Sequence, residues 1–417
     1  MKTSRIFAFC ALWAVFTAFG TPAAAQNYQT TGIQDLALIY QGGSHRLDWT
    51  VDEFRPYVAH QFADGKKDWL FDGFLFLEFK DGSGRNYTVG YEKLNARKTE
   101  WEWLLERIFE QGKSLSALDQ CIGEEIGELG KPAFKHQIVL GLPEAIRDQK
   151  DWGELDGRQM DFSKEEDQIA ATKWYIGELV KRFKASKYKH LELSGFYWVA
   201  EDTHHCAELT IPLSEYIHSE GKLFYWIPYW QAKGHEEWKR LGFDVAYQQP
   251  NHFFNHSIPD SRLDEACATA RKYGMAMEFE FDEKATAAIP NSSYDRMAAY
   301  INHFEKNDVF NSSAVAYYCG NRGVLTLNES NDPKDKALMD RLARIIQTRR
   351  YLKYGIPMKN KTRVVAHRGF WHTDGSAQNS IASLLKADQL GVYGVEFDVW
   401  MASDGVPVLN HDGWHDG

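Results

Sequence analysis

Glu396 and Asp398 stand two residues apart in Gly394-Val395-Glu396-Phe397-Asp398-Val399, a run that reads as a strand. Alternate residues of a strand share a face, so both carboxylates are expected to project the same way. Paired hard oxygen ligands suit a divalent cation, Ca²⁺ or Mg²⁺. Such an ion neutralises a phosphodiester and polarises it for attack. His367 ends Val364-Val365-Ala366-His367, and His411 follows Pro407-Val408-Leu409-Asn410. The two histidines follow separate strands and could sit on either side of a phosphorus, where an imidazole can take up or release a proton near neutral pH. Arg368 offers a planar fork to phosphate oxygens. Alone, each of these histidines would be an ordinary surface or capping residue; the combination is what points to chemistry.

A second group of acids falls where the apolar pattern predicts strand ends. Over 275–282, Met275, Met277, Phe279 and Phe281 form one face and Ala276, Glu278, Glu280 and Asp282 the other. The apolar face should pack on helices, which sends the carboxylates into a barrel or its mouth. Buried acids are costly unless paired, so they need a reason to be there. An earlier strand runs Gly195-Phe196-Tyr197-Trp198-Val199-Ala200-Glu201-Asp202. Glu201 after the fourth strand and Glu280 at the end of the seventh resemble the layout of retaining glycoside hydrolases. That resemblance implies Glu201 as acid/base and Glu280 as nucleophile, about 5–5.5 Å apart. Sugar rings stack on aromatic faces, and Trp198, Tyr229 and Trp230 are expected to line the cleft, with Tyr197 and Trp226 nearby. The usual Asn before the strand-four Glu is Ala200 here. A glycan-binding barrel and a merely solvated Glu-x-Glu edge are the alternatives.

The elements that must position these groups alternate along the chain. Short apolar runs bounded by turn residues predict strands at 35–41, 69–79, 136–142, 190–199, 223–230, 243–249, 275–281 and 314–319. Between them lie helical patterns, the clearest at 169–184 with Ile169, Thr172, Ile176, Leu179, Val180 and Phe183 on one stripe. Gly221, Gly242 and Gly274 punctuate the approach to the next strand. Eight such units predict an α/β fold, a (β/α)₈ TIM-like barrel over residues 26–355. A doubly wound open sheet is the competitor. It would show a Gly-rich phosphate loop after its first strand, which Tyr40-Gln41-Gly42-Gly43-Ser44 approximates only weakly. A basic linker follows at 356–362.

Residues 363–417 carry a more specific signature. His367-Arg368-Gly369 follows a strand, and Gln378-Asn379-Ser380 precedes a helix at 381–390. Glu396-x-Asp398 lies on the next strand, and Asp404-Gly405-Val406-Pro407-Val408 leads to His411-Asp412. In order and spacing this resembles the start of the glycerophosphodiester phosphodiesterase family. The resemblance implies a phosphoric diester hydrolase of glycerophosphodiesters, with His367 and His411 as general acid and base, Arg368 on the phosphate, and Glu396 and Asp398 on the metal. The family often has Glu where this chain has Gln378. Its catalytic domain is itself a barrel, of which only the first two strands are expected here, so activity of this length of chain is expected to be slight.

Composition bounds the rest. The chain has 417 residues, 44% hydrophobic and 25% charged, which is globular composition. A net charge of −10 argues against a general nucleic-acid binder. Lys2 and Arg5, the apolar run 6–19 and Thr21-Pro22-Ala23-Ala24-Ala25 read as a secretory signal peptide over 1–25, so a secreted or periplasmic protein is expected. No later stretch is apolar for long enough to span a membrane. Cys121, Cys206, Cys267 and Cys319 show no CxxC pair. In an exported protein one or two disulfides and buried free thiols fit them equally.

Overall fold

The computed structural model describes residues 27–357, 363–373 and 375–412. The expected signal peptide, 1–25, and residues 358–362 of the expected linker lie outside the described residues. The chain forms two compact units, residues 1–354 and 355–417.

In the first unit eight strands close a barrel. They are β1 (Asp35–Tyr40), β2 (Gly73–Leu77), β3 (His136–Leu142), β4 (Leu191–Trp198), β5 (Leu223–Trp226), β6 (Val245–Gln248), β7 (Ala276–Glu280) and β8 (Val315–Tyr318). Each runs parallel to its neighbours in sequence, and β8 returns to β1 with Asp35 opposite Val315. That closure is the (β/α)₈ architecture and excludes the open sheet. The Gly-rich turn after β1 holds a carboxylate of the chain itself: the Gly43 N–H donates to Glu78 Oε2 at 3.0 Å.

Strand alternation builds two layers of core. Leu36, Leu38, Leu75, Leu77, Tyr197 and Tyr247 fill the barrel interior. Ile39, Phe74, Phe76, Phe196, Met277 and Phe279 face the helices. Among those helices are α1 (Val51–Val58), α2 (Lys98–Ile108), α3 (Ser114–Leu129), α4 (Glu165–Ser186), α5 (Ala207–Ser219), α6 (Ser261–Tyr273), α7 (Tyr294–Lys306) and α8 (Pro333–Tyr354). Gly274 ends α6 in the left-handed conformation at φ 64°, where its missing Cβ removes the strain.

The expected strand at 69–79 is really two elements. Lys67–Trp69 pairs antiparallel with Ala59–Gln61, and the barrel strand begins only at Gly73. Asp72 marks the break, because its carboxylate accepts the backbone N–H groups of Gln34 and Asp35. The strand expected at 223–230 stops at Trp226, ahead of Pro228, so Tyr229 and Trp230 leave the sheet. Cys121, Cys206, Cys267 and Cys319 are all buried free thiols, which removes the disulfide alternative. No helix among the described residues is long and apolar enough to cross a membrane.

His136, at the start of β3, is only 1% exposed. The rings of Trp69, Phe74 and Phe134 surround it at 5.5, 6.0 and 4.9 Å, and among the described residues its Nε2 has no hydrogen-bond partner. Burial, with the nearby Arg350 charge, pushes its pKa down to about 3. The unfolded imidazole gains a proton near 6.5 that the folded one refuses. This stability is therefore complete above pH 6.5 and is lost as pH falls toward 3. The loss should reach about 2 kcal/mol by pH 5. His136→Phe should flatten that slope in denaturant unfolding at pH 5 and 7; an unchanged slope would clear His136 as its source.

In the second unit β9 (Val365–His367) and β10 (Gly394–Glu396) pair in parallel across α9 (Ile381–Gln389). Ser380 caps that helix by accepting the Ser383 N–H at 3.1 Å. β11 (Val399–Met401) and β12 (Pro407–Leu409) form an antiparallel hairpin. Glu396 and Asp398 do not share one strand as expected, for β10 ends at Glu396. Asn379 is the reason. Its side chain accepts the Asp398 N–H at 3.2 Å and donates to Asp398 Oδ2 at 3.0 Å, taking the place of a ladder partner.

Candidate active sites

The barrel mouth gathers three carboxyl groups from two strand ends. Glu201, just past β4, and Glu278 and Glu280, on β7, line one cavity of about 370 Å³. Alternation explains β7: Glu278 and Glu280 share parity with the interior Ala276, while Met277 and Phe279 pack outward. Asp282, the third acid of that face, turns aside to cap a short 3₁₀ turn through the Lys284 N–H.

The three acids are held differently. Glu280 accepts the phenol of Tyr300, from α7, and the His252 N–H at 3.1 Å. Glu201 accepts the Gln249 amide at 2.7 Å and the Tyr91 hydroxyl at 3.5 Å. Glu278, 2% exposed, makes no hydrogen bond among the described residues. Burial raises the pKa of all three, and that of Glu278 most clearly, with the neighbouring Glu280 and Glu201 charges adding to it.

The aromatic residues expected at the cleft are dispersed. Trp198 does not line it; it shares parity with Phe196, lies in the helix-facing layer and meets Phe224 edge-on at 6.1 Å. Trp230 packs on that layer beneath the Arg262 guanidinium, 4.6 Å away. Trp226 stacks on Phe243 at 4.9 Å. Tyr229 donates to Asp202 at 3.1 Å and lines a neighbouring cavity of about 260 Å³. Tyr197 alone of the five lines the 370 Å³ cavity. The rings that do border the cavity are Tyr40, Phe79, Tyr91, Phe254 and Tyr318. Tyr40 and Tyr318 end β1 and β8, where strand counting could have found them. Tyr91 and Phe254 sit on loops, which carry no periodicity to read.

In the second unit His367 lies in register with Glu396, their Nε2 and Oε2 atoms 3.9 Å apart. Arg368 takes a left-handed backbone conformation at φ 58°. Its N–H donates to Glu396 Oε2 at 3.1 Å, its Nε lies 3.2 Å from Asp398 Oδ2, and its Nη1 donates to Gln378 at 3.0 Å. Arg368 thus ties the two acids together. The Asn379 amide, aided by the Arg368, His411 and His367 charges, holds the Asp398 carboxyl below its usual range. His411 is fixed by its own neighbours, with Nδ1 2.9 Å from Asp412 and its carbonyl accepting the Trp400 indole at 3.3 Å. Two adjacent carboxylates fit a hard cation in donor chemistry. Among the described residues no group of three His, Cys, Asp or Glu side chains is placed to hold one.

Residues 367–416 match the glycerophosphoryl diester phosphodiesterase family. Over 67 residues the chain is 39% identical to glycerophosphodiester phosphodiesterase 1 of Rattus norvegicus, covering 16% of this chain and 19% of that protein. It is 39% identical over 54 residues to the Homo sapiens protein of the same name, covering 13% and 16%. The chain therefore spans about a fifth of the length of these curated relatives. This stretch is a glycerophosphodiester phosphodiesterase-like segment. Among solved structures, a putative alpha-L-fucosidase from Bacteroides thetaiotaomicron aligns at a TM-score of 0.39 and 14% identity, over 83% of this chain and 99% of that one. A mutant tryptophan synthase alpha-subunit from Pyrococcus furiosus aligns at a TM-score of 0.35 and 9% identity, over 76% and 98%. The largest match lies elsewhere, over residues 35–344 and so over the whole closed barrel: the chain belongs to the family described as a domain of unknown function (DUF4855).

Proposed function

We propose that the C-terminal unit carries the hydrolytic chemistry of a glycerophosphodiester phosphodiesterase in an exported protein. The observation that carries this reading is the junction of His367, Arg368, Glu396 and Asp398 at the ends of β9 and β10. In hydrolysis the oxygen of water bonds to phosphorus, and the bond from phosphorus to the ester oxygen breaks. One histidine takes the proton of the water, and the other gives a proton to the departing alcohol. His367 and His411 suit these roles, since both imidazoles reach solvent and both act on Asp398 electrostatically. Arg368 and Asn379 fix the two carboxylates. Glu396 and Asp398 would hold Ca²⁺ or Mg²⁺, which supplies charge neutralisation at the phosphodiester.

The test is choline release from glycerophosphocholine by the protein expressed from its intact gene, with Ca²⁺ or Mg²⁺ added. His367→Ala should lower turnover roughly 10²–10⁴-fold, the usual contribution of a general acid or base. Undiminished turnover in that variant, or none in the cation-supplied parent protein, would overturn the proposal.

A further inference from the structure

The barrel mouth asks for an explanation of its own. Its cavity has two unlike halves. One is a run of aromatic rings in mutual contact: Phe254 to Tyr318 at 5.3 Å, Tyr318 to Tyr40 at 5.5 Å, Tyr40 to Phe79 at 5.6 Å and Phe79 to Tyr91 at 4.6 Å. The other is polar, with Glu201, Gln249, Asn251, Glu278 and Glu280. A sugar has the same two characters, apolar C–H faces and hydroxyl edges. Aromatic faces receive the first, and carboxyl and amide groups receive the second.

Charge narrows the class further. The two cations at the rim are already engaged: Arg46 pairs with Glu78 at 2.9 Å and Lys80 with Glu92 at 3.2 Å, and neither partner lines the cavity. The three carboxyl groups face it without a free cation opposite. Such a site offers a phosphodiester or other anion no free cation among the described residues and suits a neutral ligand. Glu278 supplies an independent sign that a ligand belongs here. It is 2% exposed, lines the cavity and has no hydrogen-bond partner among the described residues, so its carboxyl is open to a ligand hydroxyl there.

We propose that the barrel mouth is a second active site, separate from the phosphodiester chemistry, which cleaves a glycosidic bond of a neutral carbohydrate through Glu201 and Glu280. The placement of the two acids assigns their roles. Glu201 and Tyr91 line both the 370 Å³ cavity and its 260 Å³ neighbour, so they form the wall between them. A substrate with one ring on each side brings its bridging oxygen to Glu201. Glu280 lines only the first cavity, beside the ring whose anomeric carbon reacts. Each acid is held by two donors, Glu280 by Tyr300 and His252 and Glu201 by Gln249 and Tyr91, so placement alone divides their roles. The bond from the anomeric carbon to the bridging oxygen breaks, its electron pair stays on that oxygen, and the Glu201 proton joins it. The Glu280 carboxylate stabilises the positive charge that develops on the sugar. Water then adds its oxygen to the anomeric carbon and returns a proton to Glu201.

The test uses the whole protein and 4-nitrophenyl glycosides of the common neutral hexoses, pentoses and 6-deoxyhexoses in both anomers, with nitrophenol release as the readout. At least one should turn over. Glu280→Gln should lower that rate roughly 10³-fold while the protein keeps its circular dichroism and thermal midpoint. Glu201→Gln should lower hydrolysis of the matching disaccharide about 10²–10⁴-fold, yet leave the 2,4-dinitrophenyl glycoside within a few-fold, because that leaving group needs no proton. Turnover of the activated substrate also shows that this variant folds. No turnover across the panel, or sugar binding without turnover, would overturn the proposal; so would turnover indifferent to both substitutions. Choline release from glycerophosphocholine is a separate readout, so either site can fail without the other.

Discussion

Replacing Arg349 by Met is expected to remove about 3–5 kcal/mol from the stability of the barrel, the usual result of leaving one member of a buried ion pair behind. Arg349 stands on α8, 3% exposed, beneath the seam where β8 meets β1. Its Nε donates to Asp35 Oδ1 at 2.9 Å and its Nη2 to the carbonyls of Gln34 and Ser313 at 3.1 and 3.0 Å, while Nη1 reaches the carbonyl of Phe310. One guanidinium therefore satisfies the first strand, the segment before the last strand and the closing helix together. In the variant, Asp35 keeps the Tyr317 hydroxyl at 2.8 Å, and three carbonyls lose a donor. The deficit should also depend on pH. Burial already pushes the Asp35 carboxyl up to about 6 despite Arg349, against 3.8 for a free group. Without the cation it rises further, so the extra loss develops as pH climbs past 6. Denaturant unfolding at pH 5 and 8 should give the larger deficit at pH 8. Arg349→Met paired with Asp35→Leu should recover part of it. A single variant within about 1 kcal/mol of the parent at pH 8 would show that this pair does not secure the seam.

Arg349 also illustrates what a sequence conveals and what it does not. The barrel was legible because each strand repeats one physical rule. β3 falls on its expected residues, 136–142, and β7 separates Met277 and Phe279 from Glu278 and Glu280 by parity alone. Chain closure places Arg349 beside Asp35, and no local pattern encodes a contact across that separation. The same limit explains the aromatic residues. Trp198 and Tyr197 are neighbours in sequence, and their facing follows from parity through an irregular pairing near Leu193 and Gly195. Tyr91 and Phe254 reach the cavity on loops whose course only the fold sets. In the C-terminal unit the spacing located the acids, but the bracket of Asn379 on Asp398 altered the strand that was to carry them.

Replacing Glu278 by Gln is expected to stabilise the protein at pH 8 and to change little at pH 4. The unfolded carboxyl titrates near 4.5, whereas burial and the neighbouring Glu280 and Glu201 charges raise the folded one well above that. The folded protein keeps a proton that the unfolded chain releases. Its stability is complete below pH 4.5 and is lost as pH rises toward the folded value. The loss grows with each pH unit above 4.5 until the folded carboxyl itself gives up its proton. Glu278 bears it, because Glu280 has two donors to support a charge and Glu278 has none among the described residues. Gln fills nearly the same volume, remains neutral at every pH and can still face the cavity. Unfolding of parent and variant at pH 4 and 8 reads the difference directly. A variant no more stable than the parent at pH 8 would mean that Glu278 is not an acid held protonated by the fold. A gain in stability accompanied by slower sugar hydrolysis would identify the residue as one kept for the ligand at the expense of the core.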